Sequence, residues 1–157
     1  MIDFAAMSED DYRRYLNYFV PDYAAEIVSN FGCSEPDAVE RAKHEISDML
    51  PHGPQTPGQT LRCIVDTTLN QSIGYLWYRP DEAAQQVFIL DFYIFPAHRG
   101  KGQGKQALTA LQAQLATAGY REIRLRVAAD NDSARHVYET SGFRVTGFNM
   151  AKQIGGS

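Results

Sequence analysis

The chain has 157 residues, a length that favours one domain with a core large enough to need no disulfide or structural metal. Hydrophobic residues make up 44% and charged residues 22%, and the formal charge of −4 argues against a general nucleic-acid-binding protein. No apolar run is long enough to span a membrane, and the N-terminus does not resemble a secretory signal. The two cysteines form no metal-ligand pattern, so the composition predicts a cytoplasmic protein without a bound metal.

The first third of the chain is predicted to be mainly helical. Ser8 is a typical helix N-cap, because three acidic residues follow it in the first turn. Pro21 is expected to stop this helix and to open the next one, since proline removes a main-chain donor from a helix interior. Ser34 caps a further helix, with Pro36 in its first turn. The predicted elements are a strand over 2–5 and helices over about 8–20, 22–30 and 34–50.

A turn-rich loop over 51–58 leads into a part of the chain where strands and helices alternate. The run 87–95 is apolar on both faces except at Asp91, which is typical of a strand in the interior of a sheet. This order of elements predicts a mixed α/β sheet with helices on both faces. The predicted strands cover 61–65, 72–78, 87–95, 122–127 and 143–152, and the predicted helices end near residues 118 and 141.

The segment after the apolar strand contains three glycines at alternate positions, Gly100, Gly102 and Gly104. Glycine lets the main chain adopt positive φ and approach a ligand closely. The first amides of the following helix have no internal partner, and the helix dipole adds partial positive charge there. Such a turn is suited to bind a phosphate or a diphosphate. Three basic side chains add formal charge: Arg99, Lys101 and Lys105.

Two common nucleotide-binding patterns fit this turn poorly. A P-loop requires Ser or Thr after Gly-Lys, but Gly104-Lys105 is followed by Gln106. A dinucleotide-binding fingerprint that starts at Gly102 has Ala107 at its third glycine, which is tolerable. The preceding strand, however, follows a hairpin instead of opening a βαβ unit. A nucleotide-binding protein is therefore disfavoured.

The remaining pattern, Arg-x-x-Gly-x-Gly at Arg99, Gly102 and Gly104, resembles the coenzyme-binding turn of the GNAT superfamily of acyl-CoA-dependent N-acetyltransferases. A second block is similar to the same family, with Asn-x-x-Ala-x-x-x-Tyr-x-x-x-Gly-Phe. The resemblance covers about 61–152 and implies a GNAT-like mixed, mostly antiparallel twisted sheet, with a central splayed pair of parallel strands and helices on both faces. The second block comprises Asn131, Ala134, Tyr138, Gly142 and Phe143.

The resemblance implies that acetyl-CoA is the cosubstrate. Main-chain amides of the glycine-rich turn would hold its diphosphate, and exposed backbone of the preceding strand would pair with its pantetheine arm. Tyr138 would protonate the leaving sulfur or hydrogen-bond to it, a role open to a phenol with an ordinary pKa near 10. The implied coenzyme-binding residues are Tyr93, Ile94, Arg99, Gly100, Lys101, Gly102, Gln103, Gly104, Lys105, Asn131, Ala134 and Tyr138.

The general base is where this sequence departs from the family. Several relatives have a glutamate at the position of Leu90, and others have one at the position of Arg126. Asp91 is the only carboxylate within the central strand. It is predicted to be either the base or a structural acid that holds a loop or a front helix, and water-mediated routes to other groups remain open.

The family builds its acceptor pocket from the front helices and the middle strands, which implies that residues 8–50 contribute to that pocket. The predicted function is transfer of an acetyl group from acetyl-CoA to a primary amine of a small molecule or peptide, by direct attack in a ternary complex. The alternative is a non-catalytic acyl-CoA sensor or interaction module on the same fold. We expect a single domain over 1–157, no nucleic-acid or membrane partner, and a homodimer as one open state, since superfamily members are often dimers.

Overall fold

The computed structural model of the chain describes residues 1–128, 130–152 and 154–155. Within them, one mixed sheet has the strand order β1-β2-β3-β4-β5, and only the β4–β5 pair is parallel. The strands are β1 (Ile2–Ala6), β2 (Thr60–Asp66), β3 (Gln71–Asp81), β4 (Gln86–Ile94) and β5 (Glu122–Leu125), and the helices are α1 (Glu9–Phe31), α2 (Glu35–Met49), α3 (Gln103–Thr117) and α4 (Asp132–Thr140). The predicted mixed α/β class is confirmed.

The chain divides into two compact units, Met1–Arg126 and Val127–Ser157. The first unit contains the whole sheet with α1, α2 and α3, and the second contains α4. The expectation of one domain over 1–157 stays a prediction.

The core of the first unit lies between α1, α2 and one face of the sheet. Tyr15 and Trp77, both without exposed surface, pack there together with Leu61. Side chains alternate between the two faces of a strand, so Ile64 and Leu76 point to the opposite face, where they are fully buried. The leucines along one side of α3 are buried as well: Leu108, Leu111 and Leu115.

Helix α1 continues through Pro21, so the predicted break at this residue is wrong. Proline inside a helix costs roughly 3 kcal/mol, because a main-chain hydrogen bond is lost. Packing against α2 offsets this cost, since Ala24 and Ile27 beyond the proline form a buried cluster with Ala38 of α2 and its neighbours. The helix ends instead at Gly32, which adopts φ of 68° in the left-handed region.

The predicted N-caps are confirmed. The Ser8 hydroxyl accepts from the main-chain amide of Asp11, whose carboxylate accepts in return from the Ser8 amide, which completes a capping box. Ser34 caps α2 through its hydroxyl, which accepts from the amide of Asp37.

The predicted strand over 143–152 is not formed in the structure. Large apolar side chains of this stretch are exposed, including Phe148 at 79% and Met150 at 93%. An alternating pattern supplies only the propensity for a strand, and the main-chain groups still need a neighbouring strand to pair with. No such ladder involves this stretch within the described residues.

None of the helices among the described residues combines the length and the apolar character that crossing a membrane requires.

Candidate active site

The glycine-rich turn connects the end of β4 to the start of α3. Gly100 and Gly102 both adopt φ of 76°, and a Cβ added to either residue would meet no atom within 4 Å. Gly102 is also the N-cap of α3, where it provides no side-chain acceptor for the first amides of the helix. The first turn of α3 therefore presents main-chain N–H groups to an open space, the arrangement expected for a bound anion.

The basic residues of the turn supplement these amides. Lys101 and Lys105 are exposed. Arg99 is bound back to the strand, because its Nε donates to the carbonyl oxygen of Ile94 at 2.8 Å and its guanidinium lies 5.0 Å from the ring centre of Tyr93. This contact fixes the start of the turn to the end of β4.

Gln103 is directed inward, unlike its basic neighbours in the turn. Its Nε2 donates to Oδ2 of the buried Asp66 at 3.0 Å, and the amide of Thr68 donates to the other oxygen of that carboxylate, also at 3.0 Å. Among the described residues, Oε1 of Gln103 is buried without a hydrogen-bond partner. Gln103 can therefore offer an anion its main-chain amide, while its side chain anchors the first turn of α3 to the end of β2.

Strand β4 continues beyond its pairing with β5. The parallel ladder ends at the pair Ile89 and Leu125, whereas β4 runs on to Ile94. On the other side of β4, Trp77 of β3 pairs with Asp91 and the next residue, Tyr78, pairs with Ile89. Leu90 is therefore the extra residue of a β-bulge. The amide of Phe95 donates to the carbonyl oxygen of Ile73 in β3 at 2.8 Å. Because successive residues of a strand direct their main-chain N–H and C=O groups to opposite sides, those of Ile94 point away from β3. Ile94 therefore lies on an edge of β4 that the β5 ladder does not cover.

Asp91 follows the bulge and accepts hydrogen bonds from two phenol hydroxyls of α1. Tyr15 donates to Oδ2 at 2.9 Å, and Tyr18 donates to Oδ1 at 3.2 Å. Burial raises the pKa of Asp91 to about 7, although the two phenols and the amide of Phe92 act to lower it. A small part of the side chain remains exposed. A carboxyl group with such a pKa exchanges protons near neutral pH, as a general base must.

Aromatic rings surround this carboxylate. Tyr18 stacks on Tyr93 with 3.7 Å between the ring centres, and Tyr15 meets Tyr75 edge-on at 5.1 Å. Burial raises the pKa of Tyr15 and of Tyr18 well above that of a free phenol, and the negative charge of Asp91 adds to this effect. Both phenols therefore stay protonated and act as hydrogen-bond donors. The expected alternative of a carboxylate that holds a front helix agrees with these hydrogen bonds to α1. The two donors themselves were not predicted, because their three-residue spacing indicates only a shared helix face.

A separate groove of about 730 Å³ lies between α1 and α2. Leu16 and Val20 of α1 line it together with Ile46 of α2. These residues occupy a different stripe of α1 from Tyr15 and Tyr18. The predicted contribution of residues 8–50 to an acceptor pocket stays a prediction.

The second predicted block lies in the second unit. Asn131 caps α4, because its Oδ1 accepts from the amide of Ala134 at 3.2 Å. Tyr138, one turn beyond Ala134, meets the ring of Phe143 edge-on at 5.7 Å. The coenzyme contacts of these residues remain predictions.

Three comparisons place this geometry among known proteins. The acetyltransferase (GNAT) family profile matches residues 24–143. The uncharacterized N-acetyltransferase YycN of Bacillus subtilis is 36% identical over 152 residues, which cover 94% of this chain and 96% of YycN. The crystal structure of YycN superposes with a TM-score of 0.89, at 34% identity, over 99% of this chain and 100% of that chain.

More distant structures share the fold. The Thermoplasma acidophilum PaiA N-acetyltransferase, solved in complex with coenzyme A, has a TM-score of 0.68 at 17% identity, over 95% of this chain and 93% of that chain. The Vibrio cholerae spermidine N-acetyltransferase, solved with CoA and spermine, has a TM-score of 0.64 at 21% identity, over 93% and 82%. The family profile and the match to YycN show that the chain belongs to the GNAT family and is an acyltransferase.

Proposed function

We propose that this enzyme transfers an acetyl group from acetyl-CoA to a primary amine of a small molecule or peptide, with Asp91 as the general base. The observation that carries the proposal is the position of Asp91 on β4, three residues before Ile94, where the strand leads into the glycine-rich turn. The strand thus carries a proton acceptor close to the start of an anion-binding turn.

The residues of the turn fit a coenzyme diphosphate. Open space at Gly100 and Gly102 admits a group that approaches the main chain closely, and α3 begins without a side-chain cap that would compete for its amides. Lys101 and Lys105 add positive charge at the same place. Acetyl-CoA, when bound, supplies the activated acyl group.

The chain's own residues then orient the acyl group and transfer the protons. The main-chain N–H of Ile94 donates a hydrogen bond to an acyl carbonyl oxygen and so polarises it. Asp91 accepts the proton that the acceptor nitrogen must lose before or during its attack on the acyl carbon. As the carbon–sulfur bond breaks, Tyr138 donates its phenolic proton to the leaving sulfur. A carboxylate that ionises near neutral pH supports this catalytic role over that of a non-catalytic acyl-CoA-binding module.

The proposal is tested by following thiol release from acetyl-CoA against a panel of amines, including alkyl monoamines, diamines, aminoglycosides and peptide N-termini. We expect turnover with at least one amine and a rise in melting temperature with acetyl-CoA alone. A protein that shows neither response at millimolar acetyl-CoA would contradict the proposal. Light scattering of the same sample tests the predicted homodimer.

Two substitutions separate the proposed roles. Asp91→Asn should lower kcat by about a hundredfold or more, the usual contribution of a general base, while Asp48→Asn, on the exposed side of α2, should not. Tyr138→Phe should slow turnover and leave the affinity for acetyl-CoA nearly unchanged, with Tyr120→Phe as the matched control. Unchanged turnover in Tyr138→Phe would remove its role as the acid.

A further inference from the structure

Both oxygens of the Asp91 carboxylate are held by α1. The hydroxyl of Tyr15 lies 2.9 Å from Oδ2, and the hydroxyl of Tyr18 lies 3.2 Å from Oδ1. The two tyrosines are three residues apart and therefore share a face of the helix. Because each donor engages a different oxygen, rotation of the carboxylate about its own axis would break both hydrogen bonds. The pair thus fixes the plane of the carboxylate as well as its place.

The two phenols are held in position independently of Asp91. Tyr15 has no exposed surface and packs against Tyr75 and Phe19, with ring centres 5.1 and 5.4 Å away. Tyr18 stacks on Tyr93 at 3.7 Å. These contacts involve the rings alone, so phenylalanine at either position would keep the packing and remove only the hydroxyl. The donors are therefore preorganised, and their effect on Asp91 can be separated from their effect on folding.

The groups that face Asp91 shift its protonation equilibrium in opposite directions. On α1, the two hydroxyls favour its ionised form, whereas the negative charge of Asp22 favours its protonated form. On β4 itself, the amide of Phe92 favours the ionised form. On β3, the residue opposite is Trp77, whose indole N–H donates to Gln59 at 2.8 Å and is thus engaged elsewhere. The phenols are consequently the side chains that counter the cost of burying this charge.

We propose that Tyr15 and Tyr18 are positioning residues that hold the Asp91 carboxylate in one orientation and favour its ionised form, an inference that rests on the proposed function of Asp91 as the base. Neither tyrosine exchanges a proton with a substrate in this arrangement. Each acts through Asp91, so the loss of either hydroxyl should move the pH at which the base becomes available.

The experiment is a titration of Asp91 in the free protein, by NMR of ¹³C-labelled aspartate carboxyl groups, with Asp91→Asn to identify the signal. In the wild type we expect a midpoint near pH 7. Tyr15→Phe and Tyr18→Phe should each raise it by about one pH unit, the equivalent of one hydrogen bond to a charged group. Tyr23→Phe is the matched control, because it removes a phenol of the same helix that donates to Glu45 instead. It should leave the midpoint where it is.

The pH profile of kcat/KM gives the second measurement. If the proposal holds, the acidic limb of the profile shifts to higher pH in both variants, by the same number of pH units as the titration midpoint of Asp91. A midpoint of Asp91 that stays unchanged in both variants would overturn the proposal. A midpoint that rises while the acidic limb stays in place would support the role of the two phenols and overturn Asp91 as the base, so the two failures can be told apart.

Discussion

The hydroxyl of Tyr15 lies 2.9 Å from Oδ2 of Asp91, and this hydrogen bond joins α1 to β4 across 76 positions of the sequence. Tyr15 also belongs to the core cluster that holds α1 against the sheet. The packing of the fold and the environment of the candidate base therefore depend on one side chain. A carboxylate placed in such a core costs stability when it is ionised, which leads to the first prediction.

Asp91→Asn is expected to stabilise the protein at alkaline pH. The pKa of Asp91 is about 7 in the folded protein, against 3.8 for a free aspartate side chain. The folded state therefore binds the proton more tightly, and the stability that this group contributes is lost as the pH rises through 7. Above that pH the ionised carboxylate costs on the order of 4 kcal/mol. The melting temperature of Asp91→Asn, relative to wild type, should thus be higher at about pH 8 than at about pH 4.

Asp48→Asn is the control, because Asp48 is exposed on α2 and pairs with the exposed His44. It should change the melting temperature little at either pH. If Asp91→Asn and the wild type differed by the same amount at both pH values, the raised pKa of Asp91 would be ruled out.

Local sequence signals were enough to predict the glycine-rich turn and the helix caps. Positive φ at Gly102 and the cap at Ser8 depend on the residue itself and its near neighbours. The continuation of α1 through Pro21 depends on contacts with α2, which local rules do not contain. The hydrogen bonds from Tyr15 and Tyr18 to a residue more than seventy positions away are likewise set by the tertiary fold. The candidate base and a contact with a front helix could be predicted from the sequence, but the two phenols that make this contact could not.

Gly102→Ala should weaken the binding of acetyl-CoA by about tenfold or more, measured as Kd by calorimetry. Alanine in the left-handed region costs about 1–2 kcal/mol, and its methyl group would fill part of the open space at Gly102 that we propose for the diphosphate. Gly119→Ala imposes similar strain beyond the other end of α3, at φ of 98° with equally open surroundings. It should lower the melting temperature comparably while leaving Kd unchanged. Equal loss of affinity in both variants would show that strain alone explains the effect.

Gly74→Ala should destabilise the protein severely. A Cβ at Gly74 would overlap the carbonyl oxygen of Tyr93 and lie 3.1 Å from its carbonyl carbon, and neither atom can move without shifting β4. We expect a loss of about 3 kcal/mol or more in the free energy of unfolding, measured by urea denaturation. Gly147→Ala, which would meet no atom within 4 Å, should behave like the wild type. A stable Gly74→Ala protein would contradict the close approach of β3 to β4.

Gln103→Glu should destabilise the first turn of α3 in a pH-dependent way. The substitution replaces a donor to Asp66 with a second carboxylate at hydrogen-bond distance, which costs about 2 kcal/mol at neutral pH. Protonation of either carboxylate restores a hydrogen bond, so the loss of stability should diminish as the pH falls through the range in which carboxylates titrate. Gln106→Glu places the same charge on the exposed side of the same turn. Both variants should weaken acetyl-CoA binding by repelling its diphosphate, but only Gln103→Glu should lower the melting temperature. If Gln106→Glu lowered it equally, the added charge itself would be responsible, and the link between Gln103 and Asp66 would not be what anchors the turn.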